Sequence, residues 1–379
     1  MTSQSVRVVN VTHVLPGGAS AAAPPHAGGG DVDVIELSFL DTMFFALTPL
    51  KRLFFYEAAE PSFPAMVSSL QSSLAATLAV FAPLAGKLAY RPSHDDVVID
   101  CSVAAVSPGV VFIEAEYHDD DDAVVDMRRL AGDEEHHTEA FKRLVPEMDV
   151  TPLPMGVDMS QQRRRTFLLN AGEIESLKQR ISESDAGREQ LRNRLSTYVA
   201  ISSLAWTSIV RAKSLDAADK VYFMVSADCR RRLRPPADKG YFGNCVTTCV
   251  AKAISGDLSA GSDDGLAGLA RAAAAIQRAI REGLEVPFGN SERWLDGATA
   301  TTPPVRSFTR SGSSHRYMAY ETDFGWGAPS RAELATVYGE EVVMMLGAAD
   351  GGVQVSVVLR RALMDAFATN FRRQLVAST

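Results

Sequence analysis

The chain has 379 residues, of which 46% are hydrophobic and 22% are charged, and this is the composition of an ordinary globular protein. A chain of this length buries about three quarters of its unfolded surface, so general disorder is excluded and two domains are expected. The net charge of −8 argues against nucleic acid and membrane surfaces as partners, because both require a basic face. Two short arginine runs, 163–165 and 230–232, are therefore interpreted as solvated faces or ion pairs.

The cysteines and the N-terminus indicate the compartment. Cys101, Cys229, Cys245 and Cys249 form no C-x-x-C pair, so neither a disulfide framework nor a metal site is predicted, and a reducing compartment is favoured. The first 14 residues lack the pattern of a signal peptide, and the apolar stretch 75–86 is too short to cross a bilayer. The sequence thus predicts a soluble, cytoplasmic protein.

The N-terminal part of the chain alternates strand and helix patterns. Strands are predicted at 6–14, 53–56, 87–90, 97–101 and 110–117, and a loose Gly-, Ala- and Pro-rich loop at 16–30. The helix predicted at 63–81 rests on apolar residues at steps of three and four: Met66, Leu70, Leu74, Leu78 and Phe81. Pro83 and Gly86 then end it.

The C-terminal part continues the same mixture. Strands are predicted at 165–170, 221–228, 247–254, 341–346 and 352–359. Helices are predicted at 173–181, capped by Asn170, and at 196–211, 266–280 and 364–375. The order of elements predicts an α/β protein with two sheets, each backed by helices.

Three sets of residues stand out as motifs. The first is a loop with two glycines that permit tight turns, made of Asp323, Phe324, Gly325, Trp326 and Gly327. By its residue types alone it is a packed structural loop, in which a buried Asp323 would need an arginine partner.

The second motif is Tyr-Phe-Gly-Asn-Cys at 241–245, which follows an arginine-rich stretch at 228–233. Asn244 could donate a hydrogen bond to a developing oxyanion, although such a residue more often sits in a turn or at a strand end. The third set comprises 37–41, 53–56 and 81–88, which by themselves indicate only a strand, a helix and a turn.

Together and in this order, the three sets resemble the BAHD family of plant acyl-CoA-dependent acyltransferases, in the branch of the anthocyanin and phenolic-glucoside malonyltransferases. The resemblance implies the two-domain, chloramphenicol acetyltransferase-like α/β fold, with an N-terminal domain at 1–155 and a C-terminal domain at 163–379. It implies a monomer that moves an acyl group, malonyl by this branch, from acyl-CoA to a hydroxyl of a phenolic or flavonoid glycoside. No cofactor beyond the acyl-CoA cosubstrate and no metal is implied.

The resemblance also implies roles for individual residues. Asp323 would pair with an arginine, for which Arg230 and Arg232 are the candidates. Contacts to CoA or the acyl group would come from two parts of the chain: Tyr241, Gly243, Asn244, Ser311 and Ser313. The general base would be the histidine of an H-x-x-x-D motif.

That histidine is not found where the resemblance places it. His118 has Asp122 four residues on, but any histidine before the aspartate run 119–122 would match, and the position is too early in the chain. His136 and His137 lie in an acidic segment that is interpreted as a solvated face. His315 is interpreted as a surface or phosphate-contact residue.

The segment that should carry the missing histidine can be located in the chain. Only eight residues, 155–162, separate Pro154 from Arg163, where the family would place a strand, the motif and a long crossover. The sequence therefore predicts an internal deletion of several dozen residues and a weak or inactive enzyme. The alternatives are a non-catalytic relative that binds CoA or a partner, and a non-functional splice or gene-model product.

Overall fold

The computed structural model describes residues 5–17, 33–42, 44, 51–57, 61–118, 161–191, 193–259, 265–289, 308–334 and 339–376. Within these ranges the strands form four sheets, one of six strands and three of two or three strands. The prediction of two sheets was therefore wrong. The N-terminal strands lie in three small sheets, one of which also contains a strand from the C-terminal part of the chain.

The N-terminal elements follow the predicted order. They are β1 (Ser5–Val14), β2 (Val34–Glu36), α1 (Phe39–Thr42), β3 (Arg52–Phe55), α2 (Phe63–Val80), β4 (Lys87–Arg91), β5 (Asp96–Asp100), α3 (Val103–Val106) and β6 (Val110–His118). Strand β1 pairs antiparallel with β6, and β4 and β5 form the predicted hairpin with β2 along its other edge. The predicted strands at 6–14 and 110–117 are thus confirmed, and they are partners.

Helix α2 spans the predicted helix almost to the residue. Pro64 lies in its first turn, where a missing N–H costs nothing, and Leu78 is its buried residue, packed near Val14 and Ala85. Among the described helices, α2 alone is long and apolar enough to cross a bilayer, with a mean hydropathy of 1.3 and 6% of it buried. One such helix is weak evidence for a membrane span, and the expectation of no membrane partner stays a prediction.

The C-terminal elements build the large sheet. They are β7 (Gln162–Leu169), α4 (Ala171–Glu183), α5 (Asp185–Gln190), α6 (Thr197–Lys213), β8 (Lys220–Asp228), β9 (Val246–Ile254), α7 (Ser255–Ser259), α8 (Leu266–Glu285), β10 (Phe308–Ser311), β11 (Arg331–Leu334), β12 (Val342–Gly347), β13 (Val353–Arg360) and α9 (Arg361–Leu375). The strand order is β7-β13-β12-β10-β8-β9, in which β10 runs parallel to its two neighbours.

The main core lies between this sheet and the helices α4, α6, α8 and α9. Trp206 of the fully buried stretch of α6 packs on Phe223 of β8, with ring centroids 5.6 Å apart. At the other edge Phe167 of β7 packs on Phe371 of α9 at 4.6 Å. Aromatic pairs of this kind add to the free energy gained by burying their area.

Local signals explain where two of these helices begin. The Asn170 side chain accepts a hydrogen bond from the N–H of Glu173, and the Glu173 carboxylate accepts one from the N–H of Asn170, so α4 begins at the cap that the sequence predicted. The hydroxyl of Ser196 caps α6 in the same way, by accepting from Val199.

One strand crosses between the two parts of the chain. Strand β3 pairs antiparallel with β11, with Phe55 opposite Arg331 and Arg52 opposite Leu334. The division into 1–155 and 163–379 remains a prediction, but the backbone of the first range is hydrogen-bonded into the second.

Burial along β7 yields a direct test of the core. Leu169 is fully buried and its neighbour Leu168 is 69% exposed, because adjacent residues of a strand face opposite ways. We expect Leu169→Ala to lower the free energy of unfolding by about 2–5 kcal/mol and Leu168→Ala by less than about 0.5 kcal/mol, measured by urea titration. Equal losses would contradict the placement of β7.

Candidate functional site

The loop between β8 and β9, residues 229–245, carries the second motif and is closed on itself. Arg230 donates from Nη2 to the carbonyl of Gly243 at 2.6 Å and from Nη1 to Asp228 at 3.1 Å. The Tyr241 hydroxyl donates to the carbonyl of Asn244 at 3.3 Å. These contacts give the loop a fixed shape.

Two thiols lie at the base of this loop. The N–H of Cys229 donates to the carbonyl of Cys245 at 3.0 Å, which extends the β8–β9 pairing by one residue, and the two Sγ atoms are 3.5 Å apart. Both cysteines are free and buried. Burial and the neighbouring Cys245 raise the pKa of Cys229 to about 12, so its thiol stays protonated at neutral pH and is a poor nucleophile.

Asn244 is held by a carboxylate from the N-terminal part of the chain. Oδ1 of Asp41 accepts from the Asn244 backbone N–H at 3.1 Å and from its Nδ2 at 2.7 Å. Oδ2 accepts from the N–H and the hydroxyl of Ser38 at 2.9 and 2.5 Å. The side-chain donor that we considered for an oxyanion is thus directed at Asp41.

The ionisation of Asp41 follows from these four donors. Burial alone would raise its pKa, but the hydrogen bonds from Ser38 and Asn244 outweigh burial and keep the pKa below its ordinary value. The carboxylate is therefore charged at neutral pH, and its charge is satisfied by neutral donors.

The Asp323 loop, residues 323–327, is likewise held by hydrogen bonds to a carboxylate. Oδ1 of Asp323 accepts from three backbone N–H groups within 3.0 Å: Gly325, Trp326 and Gly327. Gly325 and Gly327 have φ of +94° and +89°, which other residues rarely adopt, so the turn requires glycine at both positions.

The predicted ion pair of Asp323 is not seen in the described residues. Asp323 is exposed and bound to its own loop, whereas Arg230 contacts Asp228 and Gly243, and Arg232 lines a cleft elsewhere. The prediction assumed a buried carboxylate that needs a cation. Three adjacent N–H donors satisfy the same carboxylate without one.

The aromatic residues of this loop pack on β3. Trp326 meets Tyr56 edge-on at 5.4 Å, and Phe324 meets Phe54 at 6.4 Å. The Tyr56 hydroxyl donates to the carbonyl of Thr322 at 2.8 Å. Burial and the nearby negative charge of Asp323 raise the pKa of Tyr56, so it remains a neutral donor.

The two serines predicted to approach CoA lie at the end of β10. Ser311 is 4% exposed and accepts a hydrogen bond from the Tyr198 hydroxyl at 2.7 Å. The hydroxyl of Ser313 donates to the carbonyl of Met345 and accepts from its N–H. Both serines are therefore occupied by protein groups.

Tyr198 also lines a cleft that the sequence analysis missed. The cleft has a volume of about 540 Å³ and lies between the start of α6, the C-terminal half of α8 and the β8–β9 loop. Its polar lining comes from seven residues: Asn193, Ser196, Tyr198, Arg232, Gln277, Arg281 and Glu285. Arg281 follows the helix predicted at 266–280, and the cleft forms where that helix meets the start of the helix predicted at 196–211. The sequence alone gives no signal for this meeting of two helices.

Of the histidine match at His118 and Asp122, the structure describes only the histidine, which ends β6 and pairs with Ser5. His315 precedes Asp323 by eight residues in the chain, and burial together with the adjacent Arg316 lowers its pKa, so its imidazole is neutral. Residues 155–160 lie outside the described residues, so the missing motif stays a prediction.

Comparison with known proteins identifies the family. The model of the Transferase family matches residues 30–155 and 128–374. Phenolic glucoside malonyltransferase 1 of Arabidopsis thaliana is 23% identical over 471 aligned positions, which include 95% of this chain and 96% of the relative. A malonyl-coenzyme:anthocyanin 5-O-glucoside-6'''-O-malonyltransferase of Salvia splendens is 30% identical over 238 residues, 60% of this chain and 46% of the relative.

Solved structures show the fold. Vinorine synthase superposes with a TM-score of 0.66 at 16% identity over 96% of each chain. F. sporotrichioides TRI101, complexed with coenzyme A and T-2, superposes with a TM-score of 0.60 at 15% identity over 89% of this chain and 97% of the other. The predicted fold class, the two-domain α/β fold of CoA-dependent acyltransferases, is confirmed. The chain belongs to the Transferase family and, within it, to the BAHD acyltransferases of the phenolic glucoside malonyltransferase-like branch.

The alignment with the Arabidopsis malonyltransferase also measures a difference in length. It has 471 positions and this chain has 379 residues, so at least 92 positions are gaps in this chain. The predicted deletion between Pro154 and Arg163 stays a prediction.

The Asp323 loop gives a test of its hydrogen bonds. We expect Asp323→Ala to lower the free energy of unfolding by about 1–2 kcal/mol, because three N–H groups lose their acceptor, and Asp323→Asn to cost less, because its amide oxygen still accepts. Urea titration of both variants measures the difference. If an arginine pair held Asp323, the two substitutions would cost the same.

Proposed function

We propose that this chain binds an acyl-CoA, with malonyl-CoA as the donor and a phenolic or flavonoid glycoside hydroxyl as the acceptor, and that it transfers the acyl group slowly or not at all. The relatives named malonyltransferases support the donor and the acceptor class. The cleft beside α6 supports the binding of CoA.

The observation that carries CoA binding is the pair of guanidinium groups, Arg232 and Arg281, on the wall of one cleft, where they outnumber its single carboxylate, Glu285. Guanidinium groups form paired, charge-assisted hydrogen bonds with phosphate oxygens. The N-terminus of α6, capped by Ser196, reaches the same cleft and adds the positive end of a 17-residue helix. CoA carries three phosphate groups, so this cleft suits its nucleotide end.

The acyl end would lie toward the floor of the cleft and the β8–β9 loop. Tyr198 presents its ring there, with its hydroxyl anchored on Ser311. Tyr241 and Gly243 lie on the same loop as Arg232, so a bound cofactor arm would pass close to them. These positions are part of the proposal.

Acyl transfer needs a base that this sequence does not supply in the expected place. The acceptor oxygen attacks the thioester carbonyl, its proton passes to the base, and the thiolate of CoA leaves. A general base contributes about 10²–10⁴-fold to such a step, or roughly 3–5 kcal/mol of barrier. The 92 or more gap positions support the loss of the segment that carries it.

The small core within the described residues of the N-terminal part favours a second candidate, a non-catalytic relative that binds CoA without turnover. The buried apolar cluster described there consists of Val14, Leu78 and Ala85, whereas the C-terminal core spans the whole large sheet. A catalytic channel between two domains requires both walls to be rigid. The proposed CoA cleft is lined by residues of the C-terminal part.

Binding of malonyl-CoA is the first test. Isothermal titration of the full chain should give a saturable heat, and Arg232→Ala or Arg281→Ala should weaken affinity by about 10–100-fold, the loss of one charge-assisted contact. Arg278→Ala is the matched control, because Arg278 is exposed on the same helix and does not line the cleft. No binding by the unmodified chain would refute the proposal.

The rate of transfer is the second test. With malonyl-CoA and a phenolic glucoside, we expect this chain to be at least about 10²-fold slower than the Arabidopsis malonyltransferase under the same conditions. His118→Ala should leave the residual rate unchanged, because its match to the motif arises from the aspartate run. Comparable turnover would overturn the predicted inactivity, and a loss in the His118 variant would identify that residue as the base.

A further inference from the structure

Asp41 connects the N-terminal part of the chain to the loop that forms one wall of the cleft. We propose that Asp41 is a positioning residue for the CoA site, which acts by anchoring Asn244 and, through the β8–β9 loop, by orienting Arg232. The inference rests on the proposed CoA binding and assigns a role to a residue that the sequence left without one.

The contact uses the whole carboxylate. Oδ1 accepts both donors of Asn244, and Oδ2 accepts both donors of Ser38, at 2.5–3.1 Å. Asp41 and Asn244 are separated by about half of the chain, so the contact ties α1 to a turn of the large sheet. If Asp41 only stabilised the start of α1 through Ser38, its carboxylate would not also bind Asn244.

Hydrogen bonds within the β8–β9 loop connect Asn244 to Arg232, which lines the cleft. Gly243, next to Asn244, receives the Arg230 guanidinium at 2.6 Å, and the N–H of Arg232 donates to the carbonyl of Cys229 at 2.7 Å. The base of the loop is closed by the Cys229–Cys245 hydrogen bond at 3.0 Å. A shift of Asn244 therefore moves the backbone from which Arg232 extends.

A second contact from the N-terminal part reaches the same loop but restrains it less. The ring of Phe242 lies 5.4 Å from that of Phe81, and both side chains remain largely exposed. Apolar contact at the surface tolerates sliding, whereas hydrogen bonds to a charged acceptor fix distance and direction. Asp41 is thus the contact that sets the position of the loop.

Asparagine cannot replace Asp41 even though it has the same shape. Oδ1 and Oδ2 both face donors, so an amide NH₂ must meet either the Asn244 or the Ser38 donors, and that pair loses its acceptor. Asp41→Asn therefore keeps one of the two pairs, whereas Asp41→Ala removes both oxygens and breaks the anchor. Asp216→Ala, at an exposed aspartate between α6 and β8, is the matched control.

The experiment measures the anchor and the affinity separately in the full chain. We expect Asp41→Ala to speed hydrogen exchange at the Asn244 amide and to raise the dissociation constant for CoA about tenfold, while Asp216→Ala changes neither. In an Arg232→Ala background, Asp41→Ala should cause little further loss, because Asp41 acts through that arginine. A merely structural role would give independent, additive effects.

Three outcomes would overturn the inference. They are unchanged exchange at Asn244, an unchanged dissociation constant despite faster exchange, and full additivity with Arg232→Ala. Failure of the unmodified chain to bind CoA is a different result. It refutes the proposed function, while the exchange measurement still reports whether Asp41 anchors the loop.

Discussion

Hydrogen bonds that join Asp41 and β3 to the C-terminal part of the chain are the constraint on which the described arrangement depends. Asp41 holds the β8–β9 loop through Asn244, and β3 pairs with β11 next to the Asp323 loop. The N-terminal part has little core of its own in the described residues, so its position follows from these attachments. Both sequence motifs lie at the points of attachment, and their aromatic residues supply the packing: Phe242 on Phe81, Phe324 on Phe54, and Trp326 on Tyr56.

The two parts of the chain differ in how their stability arises. In the C-terminal part, α6 is buried over 12 consecutive residues, Val199 to Val210, against a sheet whose β12 and β13 are almost wholly buried. Burial of that kind stabilises a fold at about 25 cal/mol per Å² of apolar area. In the N-terminal part, side chains such as Val9, Val11 and Val103 remain exposed. Local unfolding should therefore begin in that part of the described residues.

The sequence predicted the long elements and missed the short ones for a physical reason. Periodic burial places α2, α6, α8 and α9 and the β12–β13 pair, and Asn170 marks the start of α4 because its side chain and that of Glu173 cap each other. Strands β10 and β11 have four residues each, too few to show alternation, and they depend on partners distant in the chain. The arginine partner for Asp323 was wrong because local N–H donors, which no residue type reveals, satisfy that carboxylate. The cleft was missed because Arg232 and Arg281 meet only after folding.

Residues that identify a family need not be those that perform its chemistry. The five residues of the Asp323 loop form a turn that is satisfied by its own backbone and packed on β3, and Asn244 of the second motif is bound to Asp41. None of these contacts requires a substrate. A chain that loses a catalytic segment elsewhere can therefore keep both motifs, because they maintain the scaffold and the loop that faces the cleft. Family membership therefore follows from the residues that maintain the scaffold, and turnover depends on residues elsewhere in the chain.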